Sequence, residues 1–149
     1  MPRVNPQTRS VGNQGDILKH AALVEIAYLL ARVSPTVRHV ESHTFLLHAP
    51  AADVARWHRE VDALCSVHPA YGRYAALERA ALSRSGRYRC SAGLVIDALG
   101  DRRGSATLVE ADAATRGELR EQIAREQLPD VVVVDEAVAA LRGSRGEAA

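Results

Sequence analysis

Lysine is almost absent from this chain of 149 residues: of 19 basic residues only Lys19 is a lysine, and the rest are arginines. Aromatic residues make up 4% of the chain. The only cysteines are Cys65 and Cys90, at unremarkable spacing. So few thiols argue against a disulfide-stapled secreted scaffold and suggest free thiols in a reducing compartment. The six histidines have neither the paired spacing nor the Cys partners of a zinc site, so no metal is expected. No segment approaches the roughly 18 consecutive apolar residues of a membrane span. The opening MPRVNPQTRS lacks the apolar run of a signal peptide. A net charge of +1 provides no global field to draw in nucleic acid. These absences make a cytoplasmic, soluble protein without membrane contact the expectation.

What is present is 47% apolar residues, enough for one domain around one core. Residues 1–15 carry Pro2, Pro6, Gly12 and Gly15 and read as an irregular arm. Asp16 can cap a helix. Ile17, Leu18, Ala21, Val24, Leu29 and Leu30 then recur with the spacing of a strongly buried helix, which Pro35 stops. VRHVE at 37–41 is a strand, and TFLLHAP after it continues extended or turns. Helices follow at about 51–65, where Trp57 is a packing anchor or interface residue and Cys65 a core residue, and at 69–82. SRSGRYR, 83–89, is a basic loop, solvated or binding phosphates with Tyr88 stacking. Ser91 caps a short helix to Leu99; SATLVE, 105–110, is a strand; a charged helix spans 115–127. VVVV at 131–134 is an all-β-branched run of the kind buried on both faces of a parallel sheet. A last helix at 136–142 and a disordered tail at 143–149 complete the reading. This alternation predicts a reduced Rossmann-like α/β domain over 16–142, with a short, mainly parallel sheet and a helical insertion at about 51–99.

Three of these strands end in or beside an acid: Glu41, Glu110 and Asp135. Ligands of open α/β sheets bind outside the carboxyl ends of the strands, where a carboxylate can accept both hydroxyls of a ribose. Strands also simply end in polar residues at a surface, and the acids alone do not separate the two.

The stretch GNQGDILKH, Gly12 to His20, followed by a buried helix, resembles the start of the ribosomal-RNA adenine-N6 methyltransferases of the RlmJ family. The likeness continues in order over residues 5 to about 142. Glu41-Ser42-His43 corresponds to that family's acid-x-His at the end of the first sheet strand. Cys90-Ser91-Ala92 keeps only the Ser of its Gly-Ser-Pro step. Glu110 and Asp135 match the acids of the next two strands. The resemblance implies S-adenosylmethionine contacts at His20, His43, Ser91, Glu110 and Asp135. Glu110 would hold the ribose and Asp135 the adenine amino group. Lys19 and His20 fall in the first turn of a helix, which favours an anionic group. Lys19, His20 and His43 are the candidate catalytic residues, and Ser91, Glu110 and Asp135 the candidate cofactor-binding ones.

Two departures shape the functional expectation. TFLLHAP has no glycine where the family has a glycine-rich methionine loop, so Phe45, Leu46 and Leu47 should fill that space. The family's Asp-Pro-Pro-Tyr strand would fall after residue 142. The first expectation is therefore a subunit of a heteromeric enzyme, in specialised biosynthesis, acting on a small anionic substrate beside a second, longer protein. A non-catalytic nucleoside- or phosphate-binding module comes second. A stand-alone S-adenosylmethionine-dependent RNA methyltransferase comes third. A homo-oligomer stays open, and S-adenosylmethionine is expected to bind weakly or not at all.

Overall fold

The computed structural model describes residues 13–50 and 53–136. Most of the expected arm, the helix expected at 136–142 beyond its first residue, and the tail lie outside the described residues.

The first helix, α1 (Gln14–Val33), starts earlier than its sequence suggests. Asn13 is its cap, accepting from the Asp16 backbone N–H at 3.0 Å. Gly15 is inside the helix, and Asp16 lies in the first turn, where its charge suits the free N–H groups. Ser34 closes the helix through its N–H to the Leu30 carbonyl, just before Pro35.

Three parallel strands form the sheet: β1 (Val37–Glu41), then, after the insertion, β4 (Arg103–Val109) and β5 (Val131–Val134). Their order is β1-β4-β5. Both crossovers therefore run the same way along the sheet, and their right-handedness puts both connecting helices on one face. These helices are α4 (Ser91–Leu99) and α5 (Ala113–Arg125). Ile96 of the first, Leu119 and Ile123 of the second, and Ala106, Leu108 and Val131 of the strands share one core cluster. The chain has the expected mixed α/β architecture, a reduced Rossmann-like fold.

The other face of the sheet is different. Val40, Thr107 and Val132 stand in one row of the strand register. Val40 is 49% exposed and Val132 55%. The run VVVV is thus an edge strand with one open face, not a strand buried on both. β-branching reports that a segment is extended, but its place in the sheet depends on the order of strands distant in sequence. The outer edge of β5 is partly blunted. Val131 N–H turns back to the Leu128 carbonyl at 3.2 Å, and Arg120 donates to the Val133 carbonyl at 3.2 Å.

The insertion holds β2 (His48–Pro50), α2 (Val54–Val67), α3 (Tyr71–Ser85) and β3 (Arg87–Arg89). β2 and β3 pair antiparallel as a separate two-stranded ribbon. The segment expected as a basic loop is therefore the end of α3, a left-handed Gly86 cap (φ 66°) and a strand. Tyr88 and Arg89 are buried, which removes the solvated-loop and phosphate-stacking readings. Trp57 is a core anchor, its indole N–H donating to the Tyr74 hydroxyl at 3.0 Å, and Cys65 packs against the same cluster.

Candidate functional site

The carboxyl end of β1 lies near the second turn of α1, at His20, and the first turn of α4. Glu41 ends β1, and Ser91 opens α4. Cys90, not Ser91, occupies the cap position, which leaves the Ser91 hydroxyl available for another partner. That hydroxyl donates to Glu41 Oε1 at 2.5 Å. Glu41 Oε2 lies 3.3 Å from His39 Nε2. The Thr44 hydroxyl donates to the Glu41 carbonyl at 3.3 Å, which fixes the turn that follows the strand.

His20 is buried on the inner side of α1, its ring 6.3 Å from that of Tyr74. Burial, reinforced by the neighbouring Lys19 cation, lowers its pKa to about 4, while Asp16 and Glu41 pull weakly the other way. The imidazole is neutral near pH 7 and can offer or accept a hydrogen bond. Lys19 leaves the same turn in another direction; it is 61% exposed and its ammonium pairs with Asp16 at 3.0 Å.

The remaining expected residues are spread along the rim. His43 is exposed, with Nδ1 3.0 Å from the Ser42 hydroxyl. Glu110 follows β4; its N–H bonds the Val134 carbonyl at 3.0 Å, and its Oε1 accepts from the Asp112 N–H at 2.7 Å. One of its carboxylate oxygens thus holds its own loop. Asp135 is exposed in the bend after β5. The fold brings His20 and Ser91 to Glu41, and Glu110 beside the end of β5. His43 reaches its neighbour Ser42 and does not join the Glu41 group.

The crevice beside β1 is filled. Leu46 and Leu47 are buried against Cys90 and Ala92. The Leu47 carbonyl accepts from Cys90 N–H at 2.8 Å, and a Cβ on Gly93 would stand 2.4 Å from that carbonyl. Gly93 is thus required for α4 to approach this turn so closely. Packed leucine side chains and the α4 backbone occupy this space. Cys90 belongs to this packing; burial pushes its thiol up to about 12, which rules it out as a thiolate nucleophile.

Sequence reasoning missed a second polar cluster, where the ribbon meets α4 and α5. The Arg89 guanidinium makes paired bonds to Asp97 (2.9 and 2.8 Å) and to Glu126 (2.6 and 2.9 Å). Its backbone N–H donates to buried Glu78 at 2.9 Å. Gln122 clamps the turn before β2, accepting from the N–H groups of Leu47 and His48 and donating to the His48 carbonyl. No local signal marks these residues, since their partners are 8 to 75 positions away. Among the described residues no group of three or more His, Cys, Asp and Glu is placed to hold a metal, and no helix is long and apolar enough to cross a membrane.

No protein-family model and no curated protein matches this chain. Its fold is found elsewhere. A crystal structure of a Legionella pneumophila protein labelled DUF519 superposes on 91% of the chain with a TM-score of 0.66, at 17% sequence identity. The chain spans about half of that protein, 53% of its length. The likeness is one of fold, and it shows that this arrangement of sheet and helices occurs as part of a longer chain.

Proposed function

We propose that this protein is a subunit of a heteromeric enzyme, in which a second, longer protein packs on the open face of the sheet and completes a shared site at the strand carboxyl ends. The observation that carries this reading is that open face: Val40 and Val132 are half-exposed, whereas the other face holds buried Ala106, Leu108 and Val131 under α4 and α5. Apolar sheet faces are stable against another layer rather than against water. The Legionella protein, of similar fold, carries this arrangement together with further chain, which is compatible with additional structure packing on it.

In this reading His20, Glu41 and Ser91 are this chain's contribution to the site. His20 would be a neutral base beside the Glu41 carboxylate, which Ser91 and His39 hold in place. His43, Glu110 and Asp135 stand on the rim that a partner would face. The blocked crevice favours a reaction that does not use S-adenosylmethionine through this chain.

The test is co-purification of the tagged full chain from its native cells, with any longer protein that co-elutes identified and used for reconstitution. A stoichiometric complex is expected, lost on Val132→Arg while the variant keeps its circular dichroism spectrum. Catalytic turnover by the isolated chain, or low-micromolar S-adenosylmethionine binding to it, would refute the reading.

A further inference from the structure

α1 carries apolar residues on two opposite sides, although a surface helix normally shows one apolar stripe. One side, with Ile17, Val24 and Ala27, is buried against α3 and α4. The opposite side is not covered. Leu18, Ile26, Leu29, Leu30 and Val33 are between 44% and 81% exposed. With Ala22 they follow the spacing 18, 22, 26, 29, 33, with 30 alongside, which is one continuous helical face. These five residues are most of the large exposed hydrophobics among the described residues. A patch of this kind on a soluble surface marks an interaction site.

We infer that this face is the interface of a homodimer, in which α1 packs antiparallel against α1 of a second copy about a twofold axis near Ile26. Three features select a second copy. First, the stripe is self-complementary under that axis. Antiparallel pairing about Ile26 sets residue i against residue 52 minus i, so that Ile26 meets its own copy, small Ala22 meets Leu30, and Leu29 meets the outer edge of Leu23, which is partly buried on its own core, while Leu18 falls outside the contact. An isologous contact needs this match of a patch with itself. Second, from residue 20 to 33 the stripe carries no charge. Glu25 lies on its flank and is tied to Arg73 at 2.5 Å, so like charges do not meet at the axis. Third, the one charge on the stripe is complementary. Lys19 falls opposite Val33 of the second copy, where the last carbonyls of that helix and the negative end of its dipole favour a cation. The ammonium keeps two donors beyond its bond to Asp16. The single lysine of the chain would thus cap the partner's α1. A compact, flexible ammonium suits a set of diverging carbonyls better than a planar guanidinium does.

This surface is separate from the open sheet face, so the two assemblies can be tested apart. Sedimentation equilibrium of the purified full chain over a micromolar concentration series should show a monomer–dimer equilibrium. Ile26→Glu should weaken the dimer by about a hundredfold, because two carboxylates would face each other at the axis. Lys19→Ala should weaken it by about threefold, the scale of one helix-terminus charge. Val67→Glu, at an exposed valine outside the stripe, should leave it unchanged. Ile26→Cys gives a second readout independent of Glu tolerance: mild oxidation should link two chains through position 26, and Leu18→Cys should not self-link. A chain that is monomeric at every concentration, a dimer indifferent to Ile26→Glu, or self-linking through position 18 in place of 26 would overturn the inference.

Discussion

The two polar clusters of this molecule are built on opposite terms. At the junction of the ribbon with α4 and α5, Arg89 is buried and has a carboxylate on either side, and Gln122 spends both ends of its amide on one turn. At the strand carboxyl ends the polar groups are graded from buried to open: His20 inside, Glu41 and Ser91 half-buried, His43 and Asp135 in solvent. The junction holds the insertion to the sheet and leaves little for a ligand. The rim leaves His43 and Asp135 in solvent, where a ligand or partner can reach them. Charge density by itself therefore does not locate a working site; what matters is whether the charges are already satisfied.

The sharpest way to break this contrast is Arg89→Ala. It leaves Asp97 and Glu126 facing each other without their cation, and a loss of about 3 kcal/mol of stability is expected in urea denaturation. Glu41→Gln at the rim should cost less than 1 kcal/mol in the same measurement, since an amide still accepts from Ser91. Equal losses would erase the distinction. Gly93→Ala should come next, at about 2 kcal/mol, because its Cβ would press on the Leu47 carbonyl and on the Arg89 guanidinium.

The pH dependence of stability separates the two regions by sign. Burial of Glu78 at the junction raises its pKa to about 8, against 4.5 when unfolded. The folded state binds the extra proton, so this group's contribution is complete below pH 4.5 and declines as pH rises toward 8. His20 at the rim is lowered to about 4 from 6.5. Its contribution is complete above pH 6.5 and declines as pH falls toward 4. Thermal melts across this range should show Glu78→Gln flattening the alkaline slope and His20→Asn the acidic one. If one substitution removes both slopes, the two regions are not independent. The smallest effect is expected for Lys19→Ala, within about 0.5 kcal/mol of wild type in the monomer, because its exposed pair with Asp16 is weak.

The sequence by itself determined the local elements. The strands at 37–41, 105–110 and 131–134, the helix ended by Pro35 and the acids after each strand were all legible, because strand runs, helical spacing and breakers act over a few residues. The burial of Leu46 and Leu47 was also expected, from the family resemblance and the lack of glycine in TFLLHAP. Only the tertiary structure decided what required distant partners. It made VVVV an edge strand, since sheet order is set by crossovers. It turned SRSGRYR from a loop into a helix end and a strand, because β2 and β3 find each other 39 residues apart. It buried Arg89 by bringing Asp97 and Glu126 to it. And it chose which side of α1 to cover: a helix with apolar residues on two sides does not reveal its inner face, so packing against α3 and α4 settled it and left the side of Leu18, Ile26, Leu29 and Val33 outside.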